Sequence, residues 1–175
     1  MTDATDQHTD QQIEPHIELG SADVLYRDDA LIAVAKPPGL VSQATPDPRR
    51  DHLLAAVTRY LMRVDGTIAP APVLVHRLDR DTSGVVVLSL HPDAHGALGE
   101  AFRSREARKT YLAVVATAAR TVATDEAWTI DNHLRVDRKA KTQRRVQAVR
   151  SGGDRAITDV RVLAVADGAA LIEAR

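Results

Sequence analysis

The segment His76–Gly84 places four charged side chains, Arg77, Asp79, Arg80 and Asp81, between two apolar runs, Val73–Val75 and Val85–Leu90. Those runs read as strands. The second is β-branched at its start and of strand length, which predicts burial on both faces. A chain cannot thread four charges through a core without pairing them, so the segment is expected as a loop at one end of a sheet. Sites are commonly built at such ends. An Asp beside guanidinium groups stays ionised at neutral pH, as a nucleophile or general base must. Thr82, Ser83 and Gly84 can bond backbone groups and hold the turn. An ion-paired tight turn and an active-site loop both fit this composition.

The rest of the chain frames that segment. Residues 1–20 lack apolar periodicity, are rich in Asp, Gln and Thr, and read as a flexible acidic tail. Ala22–Arg27 and Leu31–Ala35 are predicted strands around the turn at Asp28-Asp29. Lys36-Pro37-Pro38-Gly39 ends the second, because tandem prolines cannot donate to a ladder. Asp51–Val64 is predicted as an amphipathic helix with Asp51 as N-cap and Leu53, Leu54, Val57, Leu61 and Val64 on one stripe. Pro92 suits the first turn of a second helix reaching about Glu106, with Leu98, Ala101 and Phe102 inward. Strands are expected at Thr110–Ala116, Trp128–Ile130, Arg144–Val149, Thr158–Val165 and Ala169–Ala174. Many strands, few helices and no βαβ alternation predict an α+β fold, a mainly antiparallel or mixed sheet flanked by a few helices. No internal repeat or second domain is evident.

Composition removes several classes. The 175 residues contain no cysteine, so there is no disulfide framework, thiolate metal site or cysteine nucleophile. No apolar run approaches the roughly 20 residues of a membrane span, and the polar start is not a secretory signal. A cytoplasmic protein is the default expectation. The net charge of -1 is an average of unlike parts. Residues 1–30 carry a net -7 and the remainder a net +6. Seven bases lie between Arg135 and Arg150 (Arg135, Arg138, Lys139, Lys141, Arg144, Arg145, Arg150) against Asp137 alone. Arginine forks onto phosphate and stacks on flat bases, although a solvated face accounts for such a run as well.

No phosphate loop, dinucleotide fingerprint or nucleophile elbow is present. His91 and His95 are four apart, but Pro92 sets His91 outside the helix, and no H-E-x-x-H occurs. A metal hydrolase using His76, His91 or His95 is a remote alternative.

The stretch His76-Arg77-Leu78-Asp79-Arg80-Asp81-Thr82-Ser83-Gly84 resembles the H-R-L-D-x-x-T-S-G motif of the RluA-type pseudouridine synthases. Lys36-Pro37-Pro38-Gly39-Leu40 is similar to that family's K-P-x-G-L segment. Phe102–Ala113, with Lys109 and Tyr111, resembles its F-x-x-R-x-x-x-K-x-Y-x-A segment. The three matches come in the family's order, and the likeness covers about residues 22–175.

The resemblance implies isomerisation of uridine to pseudouridine in rRNA or tRNA, with no cofactor, no metal, no membrane and no obligate protein partner. Asp79 would act on the target uridine, by nucleophilic attack or by taking a ribose proton. Tyr111 would stack on the uracil and assist proton removal at C5. Arg77, Arg80, Thr82, Ser83 and Lys109 would position the loop or contact the RNA, with Lys36 in support. The family continues into T-G-R-x-H-Q-x-R, whose last arginine pairs with the aspartate, and often carries an N-terminal S4 domain. Neither is found here, so the expectation is a catalytic domain over residues 21–175 lacking its C-terminal part. The alternative is a non-catalytic RNA-binding remnant.

Overall fold

The computed structural model describes residues 16–67, 70–118, 120–137 and 145–175. The chain forms two compact units, Met1–Ala107 and Arg108–Arg175.

The first unit is built on a four-stranded antiparallel sheet of β1 (Val24–Arg27), β2 (Leu31–Lys36), β3 (Val73–Leu74) and β4 (Gly84–Ser89), in the order β1-β2-β4-β3. Asp28 makes the β1–β2 turn as expected, its Oδ1 accepting the N–H groups of Ala30 and Leu31 at 2.8 Å. In the β2–β4 pair Ile32 faces Leu88 and Val34 faces Val86, and all four are buried. Against them lie Leu53, Ala56, Val57, Tyr60 and Leu61 of helix α1 (Leu53–Asp65). Strand β4 also meets helix α2 (Pro92–Arg103). Burial on both faces of β4 holds at Leu88 and Ser89, while Val85 at the loop end is 53% exposed.

Both helices differ in detail from the sequence pattern. His52, not Asp51, caps α1, its Nδ1 accepting the N–H of Ala55 at 3.2 Å. Asp51 is buried and takes stronger partners: the N–H of Ile17 at 2.7 Å and a terminal guanidinium nitrogen of Arg59 at 2.6 Å. A carboxylate held this way gains more from the ion pair than from a cap. Burial alone would raise its pKa, but Arg59 and the two backbone N–H groups of Ile17 and His52 hold it below the usual range. The core stripe of α1 uses Ala56 and Tyr60, whereas Val64 in the last turn passes the apolar cluster and is exposed. Helix α2 stops at Arg103 rather than Glu106. Arg105 turns left-handed at φ 64°, and the N–H of Ala107 closes onto the carbonyl of Ala101 at 2.9 Å.

The second unit is a five-stranded antiparallel sheet. Its strands are β5 (Tyr111–Ala116), β6 (Ala127–Asp137), β7 (Arg145–Val149), β8 (Asp154–Ala166) and β9 (Ala169–Ala174), in the order β5-β9-β8-β6-β7. Period-2 alternation puts Val160, Val162 and Ala170 on a buried face, while Leu112 and Val114 point to the other and stay exposed. The register shifts between Val162 and Ala164, where a bulge accommodates one extra residue. Of the basic run, Arg135 and Arg150 are exposed, and Arg138, Lys139, Lys141 and Arg144 lie outside the described residues, as does most of the acidic tail. The expected mixed α+β architecture with antiparallel sheets is what the chain adopts.

Leu88→Ala in the buried centre should cost about 2–5 kcal/mol. Val114→Ala, on a side chain 75% exposed, should stay within about 0.5 kcal/mol. Urea denaturation of the two variants checks the contrast, and equal losses would contradict this placement of the core.

Candidate active site

The loop between β3 and β4 carries the charged segment, and its backbone is fastened from below. Lys36 ends β2 facing Gly84 and is 1% exposed, although it is a lysine. Its ammonium donates to three carbonyls: Pro37 at 2.9 Å, Leu40 at 2.6 Å and Arg80 at 2.9 Å. A buried ammonium persists only with its donors matched, and three carbonyls match three N–H donors. Gly39 completes the arrangement. Its φ of 85° is the left-handed turn a glycine adopts at low cost, and its N–H donates to the carbonyl of Arg80 at 2.8 Å. One residue on the other side of Asp79, Ser42 bridges Leu78. Its hydroxyl donates to the Leu78 carbonyl at 2.7 Å and accepts the Leu78 N–H at 3.2 Å.

Asp79 therefore sits between two clamped neighbours, with its own side chain exposed. Its carbonyl accepts the N–H of Thr82 at 3.2 Å, closing a four-residue turn. Arg77 and Ser83 are exposed and Thr82 is half-buried on the same loop. The guanidinium expected beside an aspartate goes to Asp81: Arg80 Nε and Nη2 reach its two oxygens at 2.9 and 3.2 Å. That fork, aided by the charge of Lys36, holds the Asp81 carboxyl below its usual range. Burial pulls the pKa of Lys36 down, and the negative charges of Asp81 and Asp79 offset part of that fall.

One residue in this framework, Ser42, had no functional reading in the sequence, and His76 had one as a metal candidate. Ser42 lies in a polar loop with no motif to mark it. His76 has a structural use: its Nε2 accepts the N–H of Val87 at 3.0 Å, and its ring stacks on Phe102 with centroids 4.3 Å apart. His91 caps α2 by accepting the N–H of Asp93 at 3.3 Å. Among the described residues no group of three or more His, Asp or Glu side chains is placed to hold a metal ion. Lys109 and Tyr111 belong to the second unit. Lys109 is exposed, and Tyr111 opens β5 in one cross-strand row with Ala174, Val160 and Trp128.

Comparison with known proteins gives this loop a context. The fold is that of pseudouridylate synthase domains. The chain aligns with the human RNA pseudouridylate synthase domain-containing protein 4 at a TM-score of 0.65 and 24% identity, over 87% of this chain and 58% of that one. For the domain-containing protein 1 the TM-score is 0.62 at 20% identity, over 90% and 61%. A family profile described as RNA pseudouridylate synthase matches residues 30–175, and the chain belongs to that family, in its RluA-type branch. It is 31% identical over 147 residues to the Bacillus subtilis protein named uncharacterized RNA pseudouridine synthase YhcT, covering 84% of this chain and 46% of that protein. It is 36% identical over 144 residues to ribosomal large subunit pseudouridine synthase D of Xanthomonas campestris, covering 79% and 39%. With the dual-specificity RNA pseudouridine synthase RluA of Escherichia coli K12 it shares 39% over 92 residues, covering 53% and 39%. The chain spans less than half the length of these curated relatives. No helix among the described residues is long and apolar enough to cross a membrane.

Lys36→Met keeps the apolar stem and removes the ammonium, leaving the carbonyls of Leu40 and Pro37 short of a donor. It should cost about 2–3 kcal/mol in chemical denaturation. Ser42→Ala should cost about 1–2 kcal/mol by the same measure. A Lys36→Met protein as stable as the parent would remove Lys36 as the brace.

Proposed function

We propose that the chain carries the catalytic centre of an enzyme that isomerises uridine to pseudouridine in rRNA or tRNA, with Asp79 as the group that acts on the nucleoside. The observation that carries this reading is the setting of Asp79. Its carboxylate is exposed, while the backbone on either side is held by Ser42 and by Lys36 with Gly39. A reacting group needs both access and a fixed position, and this loop supplies both. Family membership supplies the reaction class.

The reaction breaks the C1′–N1 bond, rotates the uracil, joins C1′ to C5, and moves the C5 proton off as N1 gains one. Atoms and electrons balance without a cosubstrate. Asp79 begins it as a carboxylate, by attack on the ribose or by removing a ribose proton. The uracil must leave the base stack to be reached, which calls for an aromatic platform. Tyr111 is the residue for that role and for assisting loss of the C5 proton. In this reading Arg77, Arg80, Thr82, Ser83 and Lys109 contact the RNA or support its binding. Arg80, steered by its fork to Asp81, offers an exposed cation beside Asp79.

Asp79→Asn preserves shape and removes the charge. Tritium release from RNA labelled at C5 of uridine should fall by at least on the order of 10³-fold. Pseudouridine should disappear from the nuclease digest in parallel. Wild-type release by Asp79→Asn would overturn the assignment.

A further inference from the structure

The loop that carries Asp79 leaves β3 and returns into β4, so its two legs need joining as well as anchoring. Strand β3 is only two residues long. Val73 faces Ser89 and Leu74 faces Leu88. The same register would next set Val75 against Val87, but the chain turns away before that pair forms. Backbone groups along a strand point alternately to its two neighbours. The N–H of Leu90 goes to the Ala30 carbonyl on the β2 side, so those of Ser89 and Val87 point toward β3. An N–H on a half-buried strand needs a partner where the ladder stops. The imidazole of His76 supplies it: Nε2 accepts the Val87 N–H at 3.0 Å. One side chain stands in for the next rung of the ladder.

The ring is held in the plane this bond requires. Phe102, the one phenylalanine of the chain, stacks on it with centroids 4.3 Å apart and planes 23° apart. Phe102 lies in the last turn of α2, so the helix that meets β4 also orients the ring. With Nε2 accepting, the neutral ring carries its proton on Nδ1. The bond joins residues 11 apart and encloses the whole charged segment. Within it, Leu78 is bridged by Ser42 through both its carbonyl and its N–H. The stretch leading into Asp79 is therefore tied to β4 at His76 and to the β2–α1 connection at Leu78.

We infer that His76 is a positioning residue for Asp79: its bond to Val87 fixes the leg that leads into the carboxylate and so sets where that carboxylate meets the ribose. The assignment rests on the role given to Asp79 above. His76 acts through the backbone and the closure of the loop. Such bracing matters because a misplacement of about 1 Å can cost on the order of 100-fold in rate.

The test uses the full chain and RNA labelled with tritium at C5 of uridine. His76→Leu keeps an apolar side chain and removes the acceptor, and His76→Gln returns an acceptor through Oε1. Under single turnover, His76→Leu should lower the maximal release rate about 10- to 100-fold, with RNA affinity as in the parent. His76→Gln should recover most of that loss. Amide exchange reads the bracing without activity. In His76→Leu the amides of Leu78 and Thr82, which bond Ser42 and the Asp79 carbonyl, should exchange about five- to tenfold faster, while those of β2 keep the parent rate. In the parent, the nitrogen shift of His76 Nε2 should be that of an unprotonated acceptor, a readout that needs no variant to fold. A protonated Nε2 in the neutral ring, a His76→Leu protein as fast as an active parent, a His76→Gln protein as slow as His76→Leu, or exchange unchanged at Leu78 and Thr82 or quickened equally in β2 would each overturn this role. A parent without tritium release, in which the exchange and nitrogen-shift results hold, would strike the reaction proposed for Asp79 and leave the bracing of its loop by His76 standing.

Discussion

The buried ammonium of Lys36 is the interaction on which the arrangement of the first unit depends. It ends the central β2 strand, enters the core, and gathers the carbonyls of Pro37, Leu40 and Arg80 onto one charge. Burying a lysine is expensive, and its lowered pKa records that cost. The return is that two loops 44 residues apart in sequence are held at one point. Ser42 and Gly39 repeat the connection, so the turn after β2 and the loop before β4 behave as one body. An exposed carboxylate can then stand on that body in a fixed place.

The sheet beneath explains why the brace works. Lys36 faces Gly84 in the β2–β4 register, at the end where both strands leave the core. From that pair inward the partners are apolar as far as Ile32 and Leu88, and α1 packs against the buried side chains. The loops are therefore mounted on the most deeply packed strands of the unit. The two ends of β4 differ: Leu88 and Ser89 are buried, and Val85 is exposed beside the charged loop.

Electrostatics divide the labour among neighbouring acids. Asp81 takes the Arg80 fork, Asp51 takes Arg59, Asp47 takes Arg49, and Asp28 caps its own turn. Each of these four sits below its normal pKa through such contacts. Asp79 has its backbone fixed and its side chain exposed, which separates it from the acids spent on structure. The same distinction applies to the histidines. His52, His76 and His91 each accept a backbone N–H, so the imidazoles singled out as metal candidates at His76 and His91 are parts of the scaffold.

The α+β class, the strands flanking the charged segment, the turn at Asp28 and the family's motifs were all readable in the amino-acid order. These are local properties: alternation, proline punctuation and fixed spacing act over a few residues. The tertiary structure decided which partner each polar group takes. Asp51 reads as a helix cap, yet it pairs with Ile17, 34 residues away. Arg80 turns to Asp81, and Ser42 finds Leu78 across 36 residues. Burial sets these choices, because a charge or hydroxyl leaving water must be satisfied by whatever the folded chain brings beside it. Sequence determined that Asp79 would stand in a charged loop between two strands. Only the fold decided how the loop would be held, because the carbonyls that Lys36 gathers are not legible in its motif and Ser42 carries no local mark of its role.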